Sequence, residues 1–344
     1  MAKSVLVTGF DAIAKSLGPM MVAGLGAYAK AHALDIKADF IEGAGAEQSL
    51  GYDTVVLIPA SRQREGDNAI LDAAAVHGDQ RLVIVSDTWQ AWRRIAPEYR
   101  GEVSALTVCF AEEAEAARKE GYAFGVHVVT PPHWGKMYDG IMNAHVAVQS
   151  DEMLPLASGG THRRSGMKLI YFGGAKNPPL MNKVLAAIAA GMPADGVLCF
   201  RPHPAEGANE AVLAERAAFL ASVRMLDHKK AKLDDSNTMV ANADVSIFVG
   251  GPTDSIGGAY ARRPMLYFDD PDVTAHNLAQ DLPEGRWFVP ELGGAHYATE
   301  KNIGERLAWL IAKPAALVAS QEAFFPLPAT WDTGLALAEV FLNG

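Results

Sequence analysis

The chain has 344 residues, 49% of them hydrophobic, with 32 Gly, 19 Pro and only two cysteines. That length exceeds one ordinary domain and suits two, each able to bury a core without disulfides or a structural metal. A formal charge of -10 disfavours nucleic acid as a partner, and no apolar run reaches the roughly 18 residues of a membrane span.

The first half alternates strand and helix patterns. Strands are expected at Val5–Thr8, Ile36–Ile41, Thr54–Pro59, Arg81–Ser86, Ala105–Phe110 and Val126–Val129. Helices are expected at Pro19–His32, Asn68–His77, Trp89–Ile95 and Ala111–Glu120. The strands are short, β-branched and apolar on both faces, as in a buried parallel sheet. A polar, Gly/Ser-rich stretch, Ser150–Gly166, then reads as a linker. Alternation restarts with strands at Lys168–Phe172, Gly196–Phe200, Asp244–Val249 and Met265–Phe268. Helices are expected at Pro179–Ala190, Ala211–Ala221, Ile303–Ile311 and Ala315–Gln321, with a last one at Asp332–Leu342. The expectation is an α/β protein of two Rossmann-like, doubly wound domains facing a cleft. Residues 1–155 form the first domain, 156–325 the second, and 326–344 a terminal helix returning to the first.

Cys109 and Cys199 lie in apolar strand patterns and read as buried free thiols of a reducing compartment. With no charged-then-apolar leader ahead of Ser4, the expected location is the cytoplasm, while peripheral membrane contact stays open. The basic run His228–Lys232 reads as a solvated helix end. His127, His133 and His145 are too loosely spaced for a zinc motif, and the acidic turn Asp269–Asp272 reads as solvated rather than metal-binding. The sequence has no Gly-Lys-Ser/Thr phosphate loop and no Gly-x-Ser-x-Gly elbow.

Ligands of parallel α/β sheets bind beyond the carboxyl ends of the strands. Several chemically useful residues are expected there. Gly173-Gly174-Ala175-Lys176 follows one strand, and Arg201-Pro202-His203-Pro204 another. Gly250-Gly251-Pro252-Thr253-Asp254-Ser255, leading to Gly257-Gly258, follows a third. Glycines let backbone N–H groups approach an anion, Lys176 and Arg201 add charge, and the prolines stiffen the backbone around His203. Each also has a plainer reading: a tight turn for the glycines, local backbone bonding for His203, a helix cap for Thr253 or Asp254. In the first half, Asp11 and Asp87 close strands and could act as a general base or as a turn or cap residue. Trp89, Trp92 and Trp134 could stack on a sugar or base, or simply pack.

Four segments together resemble the GT-B class of nucleotide-sugar enzymes: bacterial surface-polysaccharide glycosyltransferases of sialyl- and Kdo-transferase type, and the related non-hydrolysing UDP-GlcNAc 2-epimerases. They are Ser86-Asp87-Thr88-Trp89 with Trp92, Arg93 and Arg94; Thr107–Glu113 leading to Gly121; Arg201-Pro202-His203-Pro204; and Thr253-Asp254-Ser255 with Gly257-Gly258 and Arg263-Pro264. The resemblance implies a glycosyltransferase moving a sugar from a nucleotide-sugar donor to a glycan, lipid or protein acceptor. No cofactor and no metal are expected, and inversion at the anomeric carbon is favoured because the Glu-rich donor-ribose motif of many retaining GT-B enzymes is not evident in this chain. His203, Thr253, Ser255 and the adjoining helix start would hold the donor phosphate and stabilise the leaving nucleotide. Gly173, Gly174, Lys176, Arg201, Asp254 and Gly257 complete the donor set, and Asp11 or Asp87 would deprotonate the acceptor. The donor base stays open among CMP, UDP and CDP, with the His-Pro element tilting toward CMP-linked acidic sugars. Where epimerases of this fold carry an acidic pair after the Gly-Gly, this chain has Ala259-Tyr260-Ala261. An epimerase or hydrolase and a non-catalytic nucleotide-sugar binding protein are the alternatives.

Overall fold

The computed structural model describes residues 3–60, 64–122, 124–144, 152–203, 210–233, 235–280, 282–328, 331 and 333–343. His145, Ser150, Pro204 and Asp332 lie outside them. The chain divides into two compact units, Met1–Gly135 with Pro328–Gly344, and Lys136–Leu327.

In the first unit the order is β1 (Lys3–Gly9), α1 (Ala12–Ala31), β2 (Ile36–Glu42), α2 (Ala46–Ser49), β3 (Thr54–Ile58), α3 (Arg64–Val76), β4 (Arg81–Val85), β5 (Ala105–Val108), α4 (Ala111–Lys119) and β6 (Val126–Val128). The strands form a parallel sheet in the order β2-β1-β3-β4-β5-β6. Val55, Val56, Leu57 and Ile58 on β3 are all fully buried, which requires a covered layer on each face. On one face α1 contributes Leu17, Met21 and Leu25, and on the other lie Ile70, Leu71, Trp92 and Tyr122.

α1 begins seven residues before the expected Pro19, because Asp11 caps it: its Oδ1 accepts from the N–H groups of Ile13 and Ala14, both at 3.1 Å. Pro19 therefore sits inside the helix. The stretch expected as a helix at Trp89–Ile95 is a short 3-10 turn over Ala91–Arg94, entered through Gln90 at φ 57°. Its Trp92 is fully buried, as is Trp134, so both pack in the core rather than offering a stacking surface.

α5 (Pro132–Met142) carries the chain across the boundary between the units. The boundary thus precedes the stretch expected as a linker. That stretch instead holds an antiparallel hairpin, β7 (Met153–Pro155) and β8 (Thr161–Arg163), whose turn uses Gly159 and Gly160 at φ 91° and 78°.

The second unit continues with β9 (Lys168–Gly173), α6 (Pro178–Gly191), β10 (Gly196–Arg201), α7 (Glu210–Leu220), α8 (Ser236–Asn242), β11 (Val245–Phe248), α9 (Asp254–Tyr260), β12 (Met265–Phe268), α10 (Pro271–Leu278), α11 (Phe288–Glu291), β13 (His296–Ala298), α12 (Ile303–Ala312) and α13 (Val318–Phe324). Its parallel sheet runs β10-β9-β11-β12-β13. Finally α14 (Thr333–Asn343) belongs to the first unit and packs on α1. Leu337, Ala338 and Phe341 are buried there, and full burial of a large side chain such as Phe341 contributes about 2 kcal/mol. Arg81 and Lys3 donate to the carbonyls of Val340 and Leu342 at 2.9 and 3.3 Å, satisfying the helix end. Among the described residues, no helix is long and apolar enough to cross a membrane.

Candidate functional site

In the second unit, register brings the candidate loops to one edge. Arg201 on β10 and Phe248 on β11 both pair with Gly173, the last residue of β9. The turns after these three neighbouring strands therefore leave the sheet side by side, at a strand spacing of about 4.8 Å. The first holds Gly174 to Asn177. A Cβ on Gly174 would meet the Val249 carbonyl at 3.2 Å and Met181 Sδ at 3.3 Å, so glycine is needed for close approach of two turns. Asn177 caps α6 by accepting from the Leu180 N–H at 3.2 Å, and Lys176 is exposed beside it. The second turn holds Arg201 and His203, both half-buried.

The third turn is the most constrained. Gly250 has φ 79°, a conformation glycine adopts without strain, and Gly251 and Thr253 are exposed. Thr253 precedes α9 without a side-chain cap bond. Asp254 opens the helix and accepts from the Ser236 hydroxyl; burial raises its pKa, opposed by that bond and by the Arg201 charge. Arg201 and Asp254 thus sense each other, placing the second and third turns in one electrostatic neighbourhood. Ser255 is fully buried, donates to the Pro252 carbonyl at 2.7 Å and accepts from Trp287 Nε1 at 2.9 Å. Its single proton is thereby spent on the turn itself. Gly257 packs against α5, where a Cβ would meet Met137 Cβ at 3.0 Å and Ile141 Cδ1 at 2.9 Å. Its glycine serves helix contact. The acidic turn at Asp270 is occupied by a cation: Lys183 Nζ lies 2.8 Å from Asp270 and 2.6 Å from Asp272.

The first unit gathers acids at the corresponding edge of its sheet. Asp11 follows β1, Asp87 follows β4, and Glu113 lies in the first turn of α4, after β5. Asp87 is 3% exposed and pairs with Arg94 Nη1 at 3.2 Å. Burial raises its pKa; Arg94 opposes the shift and the Asp11 charge adds to it. Arg94 also donates to the Pro59 carbonyl at 2.9 Å, tying the ends of β3 and β4 together.

Glu113, which the sequence offered only as part of a resemblance, is 2% exposed. Its carboxylate accepts from the N–H groups of Cys109 and Phe110 at 3.0 and 3.1 Å, and from that of Gln90. Burial pushes it up to about 7 despite those donors. The available signal was its place three residues after Phe110, where a glutamate reaches back to the helix-start N–H. Cys109 lies alongside, its thiol pushed well up by burial and by the Glu113 charge. Tyr267, Asn277 and Trp287, which bond in and around the third turn, come from elements distant in sequence and left no local signal.

Compared with known families the sequence matches none, and no curated protein matches it. Solved structures do match along its whole length. A Staphylococcus aureus MnaA–UDP structure aligns at TM-score 0.60 and 11% identity, covering 99% of this chain and 96% of that one. A Neisseria meningitidis UDP-GlcNAc 2-epimerase bound to UDP-GlcNAc aligns at 0.57 and 9%, covering 99% and 100%. MurG of Acinetobacter baumannii aligns at 0.55 and 13%, covering 99% and 100%. The fold is GT-B. Solved chains of this architecture include glycosyltransferases and UDP-GlcNAc 2-epimerases alike, so the expected pair of Rossmann-like units stands, and the reaction must be argued from the site.

Proposed function

We propose that this protein is a glycosyltransferase that takes a sugar from a nucleotide-sugar donor to a carbohydrate or glycosylated acceptor, without a metal and with inversion. The observation that supports it most directly is the register of Arg201, Gly173 and Phe248. It lines up three turns rich in glycine, cationic side chains and exposed N–H groups at the ligand-binding edge of the second sheet. Arg201, Lys176 and His203, with the backbone at Gly174 and around Thr253, hold the diphosphate or phosphate. They stabilise the charge that grows on the leaving nucleotide as the glycosidic bond breaks, where preorganised donors contribute most. In the first unit Asp87 takes the acceptor proton, its basicity increased by burial. The acidic turn at Asp270 and Asp272 is paired with Lys183 rather than open to a divalent ion, and turnover is expected to survive EDTA. Inversion requires one base and no protein nucleophile, and is read from the anomeric configuration of the product.

A second reading, epimerisation of a nucleotide sugar, is favoured by the UDP-GlcNAc 2-epimerase structures, which align at 0.57. Ala259-Tyr260-Ala261 weighs against it.

The test is a thermal-shift screen with CMP, CDP, UDP, GDP and dTDP on the wild type and on His203→Ala. A ligand of the folded state raises Tm by mass action. One nucleotide should stabilise the wild type and not the variant, and its sugar conjugates then serve as substrates for product analysis. Nucleotide release dependent on an acceptor supports transfer, while an isomerised donor supports the second reading. Absence of any shift removes both.

A further inference from the structure

We infer that Tyr267 and the Ser255–Trp287 pair are positioning residues that aim two peptide N–H groups, those of Gly251 and Thr253, at the donor phosphate. This rests on the donor-binding reading above and adds what sets the geometry of that turn.

Tyr267 Oη donates to the Gly250 carbonyl at 2.6 Å. Tyr267 is itself held, because Asn277 Nδ2 donates to its oxygen at 2.9 Å and to the Gly285 carbonyl at 2.8 Å. Two residues further along the turn, Ser255 Oγ donates to the Pro252 carbonyl at 2.7 Å while accepting from Trp287 Nε1 at 2.9 Å. Tyr267, Asn277, Ser255 and Trp287 are each under 5% exposed, so both clamps operate away from competing water.

Every described peptide is trans, and in a trans peptide the C=O and the following N–H point in opposite directions. A Gly250 carbonyl pinned inward therefore turns the Gly251 N–H outward. A Pro252 carbonyl pinned inward does the same for the Thr253 N–H. Gly251 and Thr253 are the exposed residues of the turn, and the residue between them is proline, which has no N–H to misdirect. The positive φ of Gly250 lets the chain reverse so that both donors emerge on one stretch. Gly251 also packs against its clamp: a Cβ there would meet the Trp287 ring at 3.2 Å. The Gly250 plane is thus fixed by Tyr267 on β12, and the Pro252 plane by Ser255, whose N–H also donates to that carbonyl at 3.2 Å and whose hydroxyl is held by Trp287; the fixed planes present two uncharged donors where Arg201 and Lys176 supply charge. An anion meeting such a turn loses little to reorganisation, the advantage of preorganised donors.

Three variants remove single donors: Tyr267→Phe, which keeps its ring, Ser255→Ala, and Trp287→Phe, which also shortens the ring system. Each is expected to weaken binding of the nucleotide identified by the wild-type screen, measured by titration calorimetry, by about tenfold, the usual worth of one such bond. Amide hydrogen exchange should slow at Gly251 and Thr253 when nucleotide binds the wild type, and slow less in the variants, while the amides of β9 and β11 keep their protection. A purely structural role would instead lower Tm and raise exchange across the sheet, with affinity unchanged in the surviving fold. That result, or unaltered exchange in the turn, overturns the proposal. Failure of the donor reading is separately visible: the wild type then binds none of the five nucleotides, and the proposal falls with it.

Discussion

At the carboxyl edge of the first sheet the candidate groups are buried acids, with Asp87 3% and Glu113 2% exposed. At the same edge of the second sheet they are donors turned outward: exposed Lys176, half-buried Arg201 and the exposed turn at Gly251 and Thr253. The two edges share an architecture and differ in electrostatics. Burial without full compensation raises carboxyl pKa values, which suits a group that must accept and release protons. Glycines, cations and clamped carbonyls suit a group that must receive fixed negative charge. On the proposed reading, one scaffold used twice is divided into a proton-handling half and an anion-holding half.

The largest effect should come from breaking that division on the acidic side. Asp87→Asn keeps the size of the side chain and removes the proton acceptor. Turnover is expected to fall about 1000-fold, within the range for loss of a general base, with nucleotide affinity unchanged. Steady-state kinetics alongside calorimetry separate the two quantities. Equal losses in kcat and affinity would mean that Asp87 belongs to the donor site or to folding, and the contrast between the edges would lose its meaning.

Glu113 tests the same contrast through stability. Its carboxyl goes from an ordinary 4.5 to about 7 in the folded state. The folded protein then holds the proton more tightly than the unfolded chain. The associated stability is complete below about pH 4.5 and is lost as pH rises to about 7, a change of roughly 3 kcal/mol. Urea unfolding of the wild type at pH 5 and pH 7.5 should show this decline, and Glu113→Gln, uncharged throughout, should flatten it. A variant with the wild-type slope would place the titration elsewhere.

On the second unit, Gly257 separates packing from binding. The added methyl of Gly257→Ala would press on Met137 and Ile141, at an expected cost of about 2 kcal/mol in urea unfolding. Nucleotide affinity should hold. Loss of affinity with unchanged stability would return Gly257 to the donor site, where the sequence reading had put it.

Much of this architecture was legible in the chain because its strands are buried on both sides. Val55–Ile58 and Val245–Phe248 read as short apolar, β-branched or aromatic runs, and their flanking helices have clear spacing. β13 escaped notice because His296-Tyr297-Ala298 is only three residues long and follows Gly293-Gly294-Ala295, which reads as a turn. The hairpin of β7 and β8 was hidden because each strand is three residues long and the turn between them is Gly/Ser-rich. For the site, a strand followed by glycine, histidine or aspartate was enough to mark the edge. The sequence could not reveal that the Ser255 proton is spent on Pro252, or that Tyr267 and Trp287 reach the same turn from 12 and 32 residues beyond Ser255. Those bonds are tertiary and leave no spacing to read. Glu113 was obscured for another reason: a glutamate in the first turn of a helix is ordinarily a solvated cap, and only the packing of Gln90 and Cys109 over it makes it buried.

Asp11 sets the smallest expected effect and the sharpest limit on the acidic edge. Sequence reasoning placed it beside Asp87 as an equal candidate for the base. The structure gives one of its oxygens a different task, since Oδ1 accepts both the Ile13 and Ala14 N–H groups at the start of α1. Asparagine caps helices as well as aspartate does, and its carbonyl oxygen can take over both bonds. Asp11→Asn should therefore alter stability by less than about 0.5 kcal/mol and turnover by less than about twofold. It should also ease the ionisation of Asp87, whose carboxyl the Asp11 charge helps to raise. In the pH profile of kcat, the acidic limb is then expected to move slightly toward lower pH, because a base with a lowered pKa is deprotonated earlier. A large loss of turnover without a loss of stability would reverse the assignment, making Asp11 the base and Asp87 the buried partner that anchors Arg94.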